Sequence, residues 1–289
     1  TWTSPAYLPS VFFGLIEKQY IGNIYLRYTF EVKHKTEQMF LECERMGIGE
    51  CRVNGKPVSL TAGGTLDRSF LTADISSCVT EGTNDITFLI DFYQSPHVYE
   101  VLSDITPEKE SLKNCLTYDT EPESIYIRGD FGVYDDGLRS TGTDILLSDG
   151  GYYVDRQSPT VHAENITADG FLFFSGCMTL EREMRILPGR CRLCPDGRFA
   201  VADVYVDGRF VRSLMFDTVA DLSAFADGGV HTVRLAVYSS ARNLYGPHHF
   251  TEYEPMSVSP FSFDLAGTWK DGKSRFYRDG YSFVKFSFA

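Results

Sequence analysis

One pattern of strands and turns occurs twice in this chain, in the same order and at a nearly constant offset of about 150 residues. The first copy opens at Tyr25 with YLRYTFEV, passes through Val53-Asn54-Gly55-Lys56-Pro57-Val58 and closes with FLTADISSCVTEGTNDITFLIDFY. The second opens at Phe174 with FSGCMTLEREM, passes through Val204-Tyr205-Val206-Asp207-Gly208-Arg209-Phe210-Val211 and closes with FDTVADLSAFADGGVHTVRLAVYSS. Asn54-Gly55 matches Asp207-Gly208, and Asp74-Ile75-Ser76 matches Asp221-Leu222-Ser223. Gly82-Thr83-Asn84 falls near Gly229-Val230-His231. The matched elements have physical reasons to recur. Asn-Gly and Asp-Gly supply the positive φ angles of a tight hairpin turn. Asp-Ile-Ser and Asp-Leu-Ser form short turns in which the carboxylate accepts bonds from nearby N–H groups. The closing runs DITFLIDFY and HTVRLAVYS alternate with period two, so each buries one face.

Matches in the same order at one offset argue for duplication of a single unit. No segment carries a long helical period, and short strands separated by turn signals indicate an all-β sandwich or barrel. The length of 289 residues is consistent with two domains, and 43% hydrophobic residues are enough for two cores. The 22 Phe and 17 Tyr suit pleated, half-buried surfaces. The expected division is a first module over residues 1–102, a bridging segment over 103–151 and a second module over 152–289. The bridge holds the strand-like run ESIYIRGDFGVY, so it is expected to pack onto a sandwich rather than to float.

A net charge of −12 argues against a nucleic-acid partner, which would require clustered Lys and Arg. No run approaches the roughly 20 apolar residues that span a bilayer, so no membrane partner is expected. No signal peptide is visible at the start, where the chain opens at Thr1. The seven cysteines are odd in number and lack a regular framework, which favours free thiols in a reducing, cytoplasmic compartment; secretion is the alternative. Cys191-Arg-Leu-Cys194 is the single CxxC, and no second pair completes a zinc site, so two spare thiols in a hairpin loop is the reading preferred. No GxSxG, GxGxxG or P-loop is present.

The repeated unit resembles the galactose-binding-like jelly-roll modules that accompany many glycoside hydrolases, including the sugar-binding domain of family 2. Three further runs are similar to the C-terminal ancillary region of large bacterial α-L-rhamnosidase-like hydrolases: Ile127–Val133 (IRGDFGV), Gly170–Gly176 (GFLFFSG) and Ala241–His249 (ARNLYGPHH). The resemblance implies two tandem jelly-roll β-sandwiches whose catalytic barrel lies upstream as a partner. It also implies sugar contacts in loops at one end of a sandwich, often beside a structural calcium. Scattered Asp such as Asp135, Asp136 and Asp144 form no clear calcium pattern, and no other cofactor is expected.

The candidate carbohydrate-binding residues are Arg242, Asn243, Tyr245, His248, Tyr152 and Trp269. Arg and Asn hydrogen-bond sugar hydroxyls, and aromatic rings stack on the C–H faces of pyranoses. For the run 242–249 the competing reading is a structural loop locked by Gly246-Pro247; the matching loop of the first module, Asp91–His97, raises the same choice. Tyr152 and Tyr153 are adjacent and cannot both face inward, so one is expected to be exposed. Glu181 and Glu183, at i and i+2 on a strand, have a spacing that permits inverting glycoside hydrolysis, but such pairs are common on solvated strand faces. The expected function is a non-catalytic, carbohydrate-binding β-sandwich pair of a larger glycoside hydrolase. The alternatives are a structural or protein-interaction module without sugar affinity, and a self-sufficient carbohydrate-active enzyme.

Overall fold

The computed structural model describes residues 7–65, 67–103, 111–112, 115–122, 125–140, 145–148, 151–162, 166–196, 199–239, 276–279 and 285–288. In chain order, the first part holds helix α1 (Tyr7–Glu17) and strands β1 (Gly22–Val32), β2 (Met39–Cys43), β3 (Ile48–Val53) and β4 (Lys56–Pro57). It continues with β5 (Thr61–Ala62), β6 (Leu71–Asp74), β7 (Gly82–Phe92), helix α2 (Pro96–Ser103) and β8 (Ile125–Gly129). Next come β9 (Phe131–Asp135), β10 (Arg139–Ser140), β11 (Ile145–Ser148) and β12 (Tyr152–Arg156). The last part holds β13 (Gly176–Arg185), β14 (Arg192–Asp196), β15 (Val201–Val206) and β16 (Arg209–Leu214). It closes with β17 (Ala220–Asp221), β18 (Val230–Ser239), β19 (Phe276–Asp279) and β20 (Lys285–Phe288). The fold is all-β, as the periodicity required.

The chain forms two units, one of Thr1–Phe131 with Tyr153–Arg156, the other of Gly132–Tyr152 with Gln157–Ala289. These boundaries differ from the division expected at residues 102 and 152. The alternating run IYIRG supplies β8, which pairs with β2 and so belongs to the first unit. Tyr153 and Val154 pair in parallel with Glu31 and Val32, which draws most of β12 into the first unit as well.

In the first unit one sheet runs β4-β3-β7-β1-β12 and the other β5-β6-β2-β8. Val53, Ile86, Phe88 and Ile90 from one sheet and Met39, Leu41 and Cys43 from the other share a single core. Burial pushes the Cys43 thiol up to about 11 and the Cys51 thiol up to about 12, so both stay protonated. Helix α1 places Phe12 and Ile16 one turn apart, and both are buried with Phe92 in a smaller cluster. Phe12 meets Phe92 at 6.2 Å and Tyr118 at 5.0 Å, edge to face.

The second unit has a sheet in the order β16-β15-β18-β13 and another in the order β17-β14-β20; β10-β11-β19 form a further sheet. Val204, Val206, Val233, Leu235 and Val237 on one side and Leu193, Ala220 and Leu222 on the other build its core.

Several pairings have counterparts in the two units. Val53 pairs with Ile86 and Val206 with Val233; the two-residue turns Asn54-Gly55 and Asp207-Gly208 close the β3–β4 and β15–β16 hairpins. Their φ angles are 49° and 75° in the first unit and 49° and 76° in the second, the type I′ signature. Across the turn, Asp85 N donates to Asn54 Oδ1 at 2.9 Å and Thr232 N donates to Asp207 Oδ1 at 2.9 Å. In the facing sheets Leu41 pairs with Ala73 and Leu193 with Ala220. Ser76 N donates to Asp74 Oδ1 and Ser223 N to Asp221 Oδ1, each at 2.8 Å, between which Ile75 and Leu222 are fully buried. The Ser76 and Ser223 hydroxyls donate to the same oxygens, and these bonds, with the backbone N–H bonds after them, hold the Asp74 and Asp221 carboxyls below their ordinary range.

Asn54 is the most constrained of the turn residues. Its Nδ2 donates to Asn84 Oδ1 at 2.7 Å and to Cys78 O at 3.0 Å, and Asn84 is buried. Asn54→Ala removes these bonds, and the one from Asp85 N, and forces alanine into a left-handed backbone, so a loss of roughly 2–3 kcal/mol is expected. Urea unfolding checks it: the midpoint falls at unchanged slope, and Asn54→Gly, which tolerates the backbone but lacks the side-chain bonds, recovers part of the loss.

Candidate functional site

The second unit exposes one sheet face that is chemically unlike an ordinary solvated surface. With Val233, Leu235 and Val237 in the core, strand alternation turns Thr232, Arg234, Ala236 and Tyr238 outward. By the same rule Val201, Asp203 and Tyr205 face outward on β15, and Cys177, Thr179 and Glu181 on β13. Registers then fix the rows. Phe210, Tyr205, Arg234 and Glu181 form one line across four strands. Asp203, Ala236 and Thr179 form the next, and Val201, Tyr238 and Cys177 a third, the rows about 7 Å apart.

Within the first row, the Tyr205 and Phe210 rings meet edge to face at 5.5 Å, and the Arg234 guanidinium sits 4.2 Å over the Tyr205 ring. Ser213 Oγ donates to Asp203 Oδ1 at 2.5 Å, which steadies that carboxylate beside Ala236. Phe210 is 58% exposed and Tyr238 41%. The neighbouring Cys177 pushes the Tyr238 phenol up, with Asp203, burial and Tyr205 adding to it, so the hydroxyl keeps its proton and can donate. Aromatic rings, a cation and two carboxylates thus flank a central alanine, the mixture that pyranose rings and their hydroxyls demand.

A second cluster surrounds Tyr152, the one candidate sugar-binding residue among those described. Its ring is half-buried and meets Phe173 edge to face at 5.4 Å. Tyr153 is half-buried too, with Lys33 Nζ 3.5 Å over its ring, so neither tyrosine of the pair is fully exposed. Close by in sequence, the runs IRGDFGV and GFLFFSG meet: Val133 bridges Phe171, and Val133 N donates to Gly170 O at 2.9 Å. A Cβ on Gly170 would lie 2.7 Å from Tyr134 Cζ, and one on Gly132 would lie 2.7 Å from Gln157 Oε1. Gln157 Nε2 donates to Asp169 O at 2.9 Å, and Asp169 in turn receives the His162 backbone N–H. The two glycine motifs are therefore a packing device around Tyr134.

Arg242, Asn243, Tyr245, His248 and Trp269 lie outside the described residues, as does Asp144. The run 241–249 follows shortly after Ser239, whose register partner is Gly176, the last residue of GFLFFSG. The matching loop of the first unit is described and is structural. Gln94 is buried, donates to Thr120 O at 2.6 Å and accepts from Asp119 N at 2.8 Å. Ser95 N donates to Asp119 Oδ2 at 2.7 Å as α2 begins at Pro96.

Glu181 and Glu183 stand on the exposed side of β13, Glu181 level with Arg234 and Glu183 with Thr232. Cys191 Sγ lies 3.0 Å from Ser223 Oγ, and Asp135 Oδ1 accepts from Gly137 N at 2.6 Å. Among the described residues no group of three His, Cys, Asp or Glu side chains is arranged to hold a metal, and no helix is long and apolar enough to cross a membrane.

Tyr205, Phe210, Arg234 and Tyr238 were not singled out from the sequence, although the signal was present. Fixing alternate valines of VADVYV and VHTVRLAVYS in the core leaves these residues on the other face.

No protein-family model matches the chain, and no curated protein matches it. Among solved structures it is similar to Streptomyces avermitilis alpha-L-rhamnosidase complexed with L-rhamnose, at 11% identity and a TM-score of 0.30, over 75% of this chain and 22% of that one. It is similar to Ruminococcus gnavus beta-glucuronidase in complex with uronic isofagomine, at 13% identity and a TM-score of 0.27, over 78% of this chain and 30% of that one. A putative beta-galactosidase from Bacteroides fragilis gives 17% identity and a TM-score of 0.25, over 76% of this chain and 28% of that one. The chain thus spans under a third of each of these proteins, and likenesses at such scores carry no weight for its activity.

The packing around Tyr134 gives a direct expectation. Gly170 has a φ of 95°, so Gly170→Ala adds backbone strain to the clash and is expected to cost roughly 2–4 kcal/mol, read as a lower melting temperature. A smaller side chain in place of the ring, as in Gly170→Ala combined with Tyr134→Leu, should restore part of it.

Proposed function

We propose that this chain is the non-catalytic, carbohydrate-binding β-sandwich pair of a larger glycoside hydrolase, and that its two units descend from one duplicated module. The observation that carries the binding role is the outward face on which Phe210, Tyr205, Arg234 and Glu181 line up beside Asp203 and Tyr238. Rings on that face offer stacking surface, while Arg234, Asp203 and Glu181 offer donors and acceptors for hydroxyl groups. A neutral or cationic saccharide suits the net charge of −12 better than a polyanion does. The glycoside hydrolase parent rests on the resemblance of the runs IRGDFGV, GFLFFSG and ARNLYGPHH to that family's ancillary region. The duplication is supported by the repeated registers and the matched Asx-Gly and Asp-x-Ser turns.

A second reading, a protein-docking module without sugar affinity, is favoured by Phe216. Its side chain is 98% exposed on a loop braced by Arg212, whose Nη1 donates to Asp217 Oδ2 at 3.0 Å and to Val219 O at 2.8 Å. Aromatic anchors of this kind are common at protein interfaces.

Calorimetry with rhamnose- and galactose-containing oligosaccharides, with calcium present and with it chelated, separates the two. Binding without turnover is expected, and Tyr205→Ala and Tyr238→Ala should each weaken it roughly tenfold. Unchanged affinity in both variants would move the site to Tyr152 or to the run holding Arg242, Asn243, Tyr245 and His248. Silence across the panel would leave the docking reading.

A further inference from the structure

The two hairpin turns sit at equivalent places, yet their side chains are held by different chemistry. In the first unit the partners are neutral: Asn54 Nδ2 donates to Asn84 Oδ1, and Asn84 Nδ2 donates to Thr80 O at 2.7 Å. In the second unit an ionisable group fills the same position. His231 Nδ1 lies 2.7 Å from Asp207 Oδ2, and His231 Nε2 lies 3.0 Å from Asp227 Oδ1. Both ring nitrogens therefore face carboxylate oxygens, which accept but cannot donate. Only the imidazolium, with a proton on each nitrogen, satisfies both contacts. A neutral ring has one N–H, so one of the two contacts becomes lone pair against lone pair.

From this geometry we infer that Asp207, His231 and Asp227 form a pH-sensitive clamp that ties the β15–β16 hairpin to the loop before β18 and opens when the imidazolium loses a proton to water. The clamp reaches further than its own side chains. Asp207 Oδ1 accepts from Thr232 N at 2.9 Å, and Asp227 Oδ1 accepts from Gly229 N at 2.7 Å. The hairpin turn, the loop at residues 227–229 and the start of β18 are thus secured through two carboxylates and one ring. The His231 side chain is 12% exposed, so water can take up the proton.

The other charged groups around the ring are basic. Arg209 lies 5.5 Å over the Phe225 ring, which meets His231 edge to face at 6.0 Å. From β13, Arg182 shares the core-side parity of Met184, the register partner of His231, and Arg185 Nη1 donates to Gly228 O at 2.8 Å. Glu183 pairs with Thr232 on the opposite face, and Arg234 follows on the strand itself. The bonds to Asp207 and then Asp227 outweigh the effect of burial, which favours the neutral ring, and raise the imidazolium above its ordinary range. The same bonds hold both carboxyls down, that of Asp207 chiefly through His231 and that of Asp227 chiefly through Gly229 N. The raised imidazolium contributes stability below its ordinary range and loses it as pH rises through the folded value; the lowered carboxyls contribute above theirs and lose it as pH falls. The clamp is closed between those limits and opens on the alkaline side.

Amide hydrogen exchange on the full chain tests this, with the Asp85 amide of the first unit, bound to Asn54 Oδ1, as the internal reference. Between about pH 6 and pH 9, after correction for intrinsic exchange, protection at Thr232 and Gly229 should fall roughly five- to thirtyfold while Asp85 holds. In Asp207→Asn with His231→Asn, which installs the pair of the first unit, the pH dependence at Thr232 should vanish. Nitrogen-15 spectra of wild-type His231 read the clamp without any variant: both ring nitrogens should be protonated near neutral pH. A ring that titrates in the ordinary imidazole range, or equal changes at Thr232 and Asp85, overturns the proposal.

Discussion

Everything in either sandwich depends on register at a two-residue turn. A slip of one residue at Asn54-Gly55 or Asp207-Gly208 would carry every buried valine of the hairpin to the outer face. The chain prevents this twice over. Positive φ at both turn positions admits only residues that tolerate it, and the first turn residue bonds sideways to the next strand, to Asp85 or to Thr232. The central strand of each sheet is therefore registered against its neighbour by a side chain as well as by the ladder. The apolar inner face and the mixed outer face both follow from that placement.

Much of the architecture was legible because β-structure writes its pattern locally. Alternation in DITFLIDFY and HTVRLAVYS, with Asx-Gly turns at matched distances, located the hairpins and the faces they bury. The Asp-Ile-Ser and Asp-Leu-Ser turns were equally readable, since a carboxylate two residues before a serine N–H is a local bond. Strands that pair over long distances were not. Nothing in Tyr153 or Val154 announces a parallel partner at Glu31 and Val32, because parallel pairing carries no turn of its own. The Gly132 and Gly170 runs stand out in the sequence by their family resemblance, but only three-dimensional packing gives them one shared reason, the Tyr134 ring.

The candidate site was less legible than the fold. Tyr152 was picked for its adjacency to Tyr153 and a pair of glycines, and its ring is partly engaged by Phe173. The outer face of β15, β16 and β18 combines Tyr205, Phe210, Arg234 and Tyr238 from three strands, so no sequence window contains it. The correspondence between units also shows how a scaffold position can change character under a constant backbone. Thr87 and Leu89 stand in β7 where Arg234 and Ala236 stand in β18, and Asn84 stands where His231 stands. The core residues keep their apolarity, Ile86 and Phe88 matching Val233 and Leu235, while the outer ones diverge.

The path of the chain between the units has its own consequence. It leaves the first unit after Phe131, spends residues 132–152 in the second, returns for Tyr153–Arg156 and leaves again. No single cut yields both units intact: a break after residue 131 removes from the first unit the parallel strand that covers β1, and a break after residue 156 deprives the second of β9 and its bridge to Phe171. During synthesis the first sandwich stays one strand short until residue 156 has cleared the ribosome, by which time the opening residues of the second unit have already emerged. The two units are successive in sequence but interleaved in assembly, and that ordering ties the maturation of each to the other.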